Sequence, residues 1–394
     1  MLSPSTSSLP RGESSQLLQL TALRFFAALS VLIYHSSFLR YIENPLKTIA
    51  STVFDEGYAG VPFFFVLSGF ILSHTYHDKL GSGHISSRKY LLLRIARIFP
   101  LHVLIAALFV IYTPYGQHSS VLQVSLNALL LQSWIPNSEY YFSLNGVSWS
   151  LSVELFFYSS FIFLVKLPTK WLMGLVALWA TVITLNAVGV VLNHGTWIES
   201  GKPTLNLWLF CISPVTRLLE FMIGILTHRL SRARAMRKAS LNECLAILGL
   251  MIAIGIFSVH KFSDILRYQL LYLPVMTFLI YSFAPGQGIL SELLKRKGLV
   301  LLGEASFSLY MIHQPIINMG YEAYLNFGFT FSPVILAILL ASFCVTLSVV
   351  IYKFLERPMY QYLRNKILNS REPSQASISL RNTTAIEIPS KVDN

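Results

Sequence analysis

Residues 23–37 read LRFFAALSVLIYHSS, an apolar run broken by one arginine, Arg24, and, eleven positions on, by one histidine, His35. Eleven steps of about 100° make roughly three helical turns, so the two side chains share one face, about 16 Å apart along the axis. That is about half the thickness of a hydrocarbon core. The stretch therefore describes a lipid-compatible helix with a fixed positive charge at one depth and a titratable imidazole at another.

The rest of the chain has the same character. Of 394 residues 54% are hydrophobic and 12% charged, against about 25% charged in an ordinary soluble domain. The fold class expected is an all-α polytopic membrane protein in contact with the lipid bilayer. Apolar runs long enough to span occur near 17–38, 57–77, 98–114, 148–167, 171–192, 211–230, 243–260, 268–285, 299–320 and 333–355, so about ten transmembrane helices are expected. A further apolar run at 121–134 (VLQVSLNALLLQSW) is too short and too polar on one side, and reads as one short interfacial or re-entrant helix.

Ten spans place both termini on one side. With that side cytosolic, twenty-three of the thirty Lys and Arg residues fall in cytosolic segments, five fall outside, and only Arg24 and Arg217 lie within the membrane. This is a strong positive-inside bias. The formal charge of +12 thus follows from topology and from attraction to anionic lipid, and no nucleic-acid partner is expected. The polar stretch 1–16 reads as a cytosolic leader, 17–360 as the transmembrane domain and 361–394 as a disordered cytosolic tail. Cys211, Cys244 and Cys344 form no Cys-x-x-Cys pair, so neither a disulfide framework nor a metal site is expected.

Ionisable groups inside a membrane are expensive and point to function by default. On this topology His35 lies near the outer end of the first span, Glu154 about two turns below the outer surface, and His313 and Tyr310 in the outer half of the ninth span. His35, Glu154 and His313 share a depth. Each also has a purely structural reading: a local hydrogen bond for His35, a salt bridge with Arg24 or Arg217 for Glu154, a satisfied core position for His313. Arg217 and Glu220, spaced i, i+3, read as a mutual pair. Arg94 and Arg97 share a face at the cytosolic mouth, where they either anchor the span or form an anion site suited to phosphates. In GYAGVPFFFVLSGFIL (57–72) the glycines either allow close helix approach or, at Ser68–Gly69, line a narrow passage.

Taken in order, these stretches resemble the integral-membrane acyltransferase family three, which includes O-acetyltransferases of bacterial surface polysaccharides. The resemblance covers about 17–360 and rests on Arg24 and His35; GVPFFFVLSGFIL at 60–72; Arg94 and Arg97 followed by IFPLH; SWSLSVELFFY at 148–158; ASFSLYMIHQPI at 305–316; and YKFLERPMY at 352–360. It implies acyl transfer across a membrane, from acetyl-CoA or another acyl-CoA as cytosolic co-substrate, with no tightly bound cofactor, to a hydroxyl of an extracytoplasmic carbohydrate. It further implies a bacterial cytoplasmic (inner) membrane. Arg24 and His35 match the family's essential pair, Arg94 and Arg97 its cytosolic pair, and Glu154 another recurring position. With that chemistry, Arg94 and Arg97 would take the CoA phosphates, Arg24 the pantetheine or thioester region, and His35 the acceptor proton as general base. Glu154 would orient or stabilise the His35 imidazole. His313, Tyr310 and Ser68 are additional site candidates. No activated serine or cysteine nucleophile stands out, which favours direct transfer. The alternative is a proton-coupled transporter or flippase of an envelope glycan precursor, with His35, Glu154 and His313 as a relay; it predicts substrate movement without covalent change.

Overall fold

The computed structural model describes residues 17–41, 54–233, 238–259 and 263–370. Ten principal helices overlap the ten expected runs: α1 (Leu18–His35), α2 (Gly60–Gly81), α3 (Ser87–Tyr112), α4 (Trp149–Leu164), α5 (Thr169–Leu192), α6 (Pro214–Ala233), α7 (Ala239–Val259), α8 (Tyr272–Phe283), α9 (Ser306–Asn326) and α10 (Pro333–Ile351), although α3 starts eleven residues before its run and the run 299–320 is divided between a short helix, Lys297–Glu304, and α9. Eight segments, containing α1–α7 and α10, are long and apolar enough to cross a membrane. The short α8 is preceded by a π turn at Arg267–Leu271, and α9 is diluted by His313, Gln314 and Glu322. Among the described residues the only strands are a hairpin of Ile198–Glu199 and Lys202–Pro203, so the all-helical expectation holds.

Two expectations change in detail. The stretch 121–134 breaks into a helix, Val121–Ala128, and a single 3-10 turn, Gln132–Trp134, with Leu130 at φ 58° between them. Its start is capped twice over: the Ser120 hydroxyl accepts from the Gln123 N–H, and the Gln123 side chain accepts from the Ser120 N–H. The stretch 361–394 was expected to be a disordered tail, yet α11 (Arg357–Asn369) continues through its beginning. The remainder of that tail and the leader 1–16 lie outside the described residues.

Alternate helix ends gather at one face. Gln19 at the start of α1 donates to the Phe283 carbonyl at the end of α8. Arg229 and Arg232 at the end of α6 reach the Leu167 carbonyl and Asp78, at the ends of α4 and α2. Most of the lysines and arginines among the described residues belong to the segments that meet here, and we call it the basic face; His35 lies at the opposite end of α1.

The centre of the bundle is α2 against α6. Its closeness follows from two glycines that face each other's backbone. A Cβ on Gly69 would lie 2.0 Å from the Phe221 carbonyl oxygen, and one on Gly224 would lie 2.0 Å from that of Val66. Where no hydrophobic force separates helix from lipid, such close approach supplies the packing energy. The same device holds α1: Cβ atoms on Gly60 and Gly303 would meet the carbonyl oxygens of Ala27 at 2.6 Å and Thr21 at 2.0 Å. The helix bearing Arg24 and His35 is thereby clamped along its length. At the rim, α5, α7 and α10 expose Leu185, Met251 and Ile338, the pattern of helices apolar all round.

Candidate active site

Proline chemistry sets the first part of the site. Pro315 lies inside α9 and has no N–H for the carbonyl four residues back, that of Met311. Asn145 Nδ2 donates to that carbonyl at 2.9 Å, tying the loop before α4 to α9 beside His313. Ser150, one turn further on, donates to the Tyr310 hydroxyl at 2.9 Å, and Tyr310 donates in turn to the Val147 carbonyl at 3.3 Å.

His313 is buried in α9. Its Nδ1 lies 2.7 Å from the Tyr310 carbonyl, and its Nε2 lies 3.1 Å from His35 Nδ1, which is itself 2.9 Å from the Val31 carbonyl. Carbonyls only accept, so in the neutral rings each Nδ1 carries the proton. The single His35 Nδ1–H is then shared between the Val31 carbonyl and His313 Nε2, and the basic lone pair of His35 is on Nε2. Two of the three residues expected at one depth are therefore in contact.

The third is elsewhere. Glu154 accepts from the Tyr158 hydroxyl at 3.1 Å and lines two chambers together with Arg24. The His35 ring, whose expected partner is Glu154, has His313 and the Val31 carbonyl within hydrogen-bonding distance. Arg217 takes no part in the chambers. Its fully buried guanidinium pairs with Glu220 at 2.5 Å, as the spacing predicts, and donates to the Cys211 carbonyl at 2.7 Å and the Tyr58 hydroxyl at 2.9 Å. Tyr58 and Cys211 form part of the wall beside His35, so this ion pair supports that wall from behind.

Three chambers run between the two faces and share walls. The outer one, about 810 Å³, is lined by His35, Tyr310, Gln314 and an aromatic set including Tyr34, Tyr58, Trp149 and Trp197. A middle one of about 60 Å³ shares Val61 and Tyr310 with it and adds Arg24, Glu154 and Ser150. The inner one, about 130 Å³, shares Arg24 and Glu154 and adds Ser68, Arg94, Arg97 and Tyr158. Ser68 thus lines the passage, whereas the neighbouring Gly69 serves helix approach.

Three guanidiniums face the inner chamber against the Glu154 carboxylate. Arg94 Nη2 donates to the Tyr76 hydroxyl at 2.7 Å and lies 4.9 Å over the Tyr76 ring. Arg97 pairs with Glu356 at 3.1 Å and lies 5.6 Å over the Tyr360 ring. Arg24 makes no hydrogen bond or ion pair among the described residues, so its five N–H donors address the chamber itself. Half-buried and lining both the middle and the inner chamber, it is placed to take an anionic or carbonyl ligand. Sequence reasoning brought Arg24, Arg94, Arg97 and Glu154 to this point but missed Tyr76, Tyr158 and Ser150. Ser150 and Tyr158 lie inside the quoted SWSLSVELFFY; Tyr76 had no local signal.

A bundle of membrane-spanning helices with arginines and a histidine pair at two depths of one passage defines a class before it defines a protein. The acyltransferase domain family matches residues 17–353, and the chain belongs to it: it is an integral-membrane acyltransferase. Among similar proteins, acyltransferase MdmB of Streptomyces mycarofaciens is 29% identical over 328 residues, 77% of this chain and 79% of that protein. O-acetyltransferase OatA of Staphylococcus aureus is 21% identical over 376 residues, 86% of this chain and 56% of its own length. No solved structure matches the chain.

Proposed function

We propose that the protein transfers an acyl group, acetyl in the first instance, from acyl-CoA at the basic face to a hydroxyl of a carbohydrate at the opposite face. The observation that carries this reading is the series of wall-sharing chambers, with Arg94 and Arg97 at one end, Arg24 between and His35 at the other. The excess of Lys and Arg at the arginine end supports a cytosolic basic face. The kinship with an enzyme named as an O-acetyltransferase supports a hydroxyl acceptor.

The chemistry assigned to each residue follows from its place. Guanidiniums bind phosphate by charge and geometry, so Arg94 and Arg97 hold the phosphates of CoA while the pantetheine arm enters the passage. Arg24, between the two ends, donates to the polar groups of the pantetheine arm as it passes toward the outer chamber. The aromatic walls of the outer chamber offer flat apolar faces to sugar rings, and Gln314 a polar contact. His35 Nε2 takes the proton of the acceptor hydroxyl as its oxygen bonds to the acyl carbon. The C–S bond then breaks, and the CoA thiolate leaves and recovers a proton from the imidazolium. Throughout, His313 holds His35 Nδ1–H and stabilises the ring as it becomes charged.

The test is mass spectrometry of surface glycans from cells expressing the wild type, His35→Ala, or neither. An acyl increment seen only with the wild type is expected. An increment that persists in His35→Ala would remove His35 as the base. Glycan translocation without any increment would replace transfer by transport.

A further inference from the structure

Residues 352–360, YKFLERPMY, stand behind the inner chamber and hold one of its walls. A π turn at Tyr352–Glu356 joins α10 to α11 and turns Glu356 inward, where it is 5% exposed. Its Oε2 accepts from the Ser308 hydroxyl of α9 at 2.5 Å. Its Oε1 lies 3.1 Å from Arg97 Nη1 but is not aligned for a hydrogen bond and finds no hydrogen-bond partner among the described residues. The carboxylate is well anchored at one oxygen and loosely engaged at the other.

The two arginines of the pair are therefore not equivalent. Arg94 rests on a neutral tyrosine, by hydroxyl and by ring, and no carboxylate is bonded to it among the described residues. Arg97 has the Glu356 carboxylate 3.1 Å away as its counter-charge. A phosphate arriving at Arg97 adds a second anion to a cation already paired, and the two must share or exchange it. Buried carboxylates depend on their counter-charge, so Glu356 draws Arg97 back whenever the phosphate withdraws.

We propose that Glu356 is an internal competitor of the donor's phosphates for Arg97, weakening CoA retention so that the spent carrier leaves after transfer. It acts through Arg97 and touches neither the acyl group nor the acceptor. This inference rests on the acyl-CoA reading above.

The experiment measures CoA binding by calorimetry to the full chain in lipid nanodiscs, together with turnover and product inhibition by CoA. Glu356→Gln keeps the size of the side chain and an acceptor for Ser308 but removes the charge. It is expected to bind CoA several-fold tighter, to suffer correspondingly stronger product inhibition and to turn over more slowly. Glu356→Asp, with a shorter reach toward Arg97, shifts the same way by less, and decides the matter if the glutamine variant does not fold. In an Arg97→Ala background the effect of Glu356→Gln disappears. Unchanged or weaker CoA binding in Glu356→Gln, or tightening that survives Arg97→Ala, overturns the proposal. Arg94→Ala separates the two ideas: if it weakens CoA binding while Glu356→Gln does not tighten it, competition alone fails. If Arg94→Ala and Arg97→Ala both leave CoA binding unchanged, the acyl-CoA reading fails with it.

Discussion

His313 Nε2 lies 3.1 Å from His35 Nδ1, across 278 residues of sequence, and the carbonyls of Val31 and Tyr310 assign both protons. On the proposed mechanism the pair works as a second-sphere arrangement does at a metal site: one imidazole fixes the tautomer and orientation of the other. Replacing His313 by Ala should leave His35 in place but less well held, and lower acyl transfer by roughly 10- to 100-fold, the usual cost of an outer-shell partner. His35→Ala removes the proposed base and should cost more, about 10²- to 10⁴-fold. Single-turnover transfer by purified variants checks the order; a His313→Ala loss equal to that of His35→Ala would make His313 the base.

At the basic end, Arg94→Ala with Arg97→Ala should raise the donor KM at least tenfold, since each removes a charge-assisted contact worth about 1.5–3 kcal/mol. The acceptor KM should hardly move. Equal effects on both substrates would return these residues to anchoring the helix.

Arg217 and Glu220 are both fully buried and bound to each other. Arg217→Ala leaves the Glu220 carboxylate buried without its counter-ion and should destabilise the protein by about 3–5 kcal/mol. Replacing both by apolar residues of similar volume should recover most of that loss. Thermal unfolding in detergent reads the difference, and a double variant as unstable as Arg217→Ala would contradict it.

Gly69→Ala should lower the amount of folded protein, because the added methyl would lie 2.0 Å from the Phe221 backbone oxygen and α2 and α6 cannot both keep their positions. Gly174→Ala, where a Cβ meets nothing within 4 Å, is the control and should be neutral. Comparable folding of the two variants would mean that the α2–α6 contact is softer than its geometry implies.

The sequence alone determined what repeats locally. Apolar runs of spanning length, the one-face spacing of Arg24 and His35, the Arg217–Glu220 pair and the partition of Lys and Arg are all consequences of helical periodicity and of lipid as solvent. The tertiary structure decided what depends on which helices touch. Glu154 and His313 are both polar groups in apolar runs, at one depth on the expected topology; only the packing puts His313 against His35 and Glu154 beside Arg24. Glu356 is one residue of a motif until a π turn points it at Arg97. Periodicity orients a side chain about its own helix axis, but the partner it meets is set by close backbone approach at Gly60, Gly69, Gly224 and Gly303 and by the carbonyl that Pro315 frees for Asn145. Those contacts join residues far apart in the chain, and no local pattern encodes them.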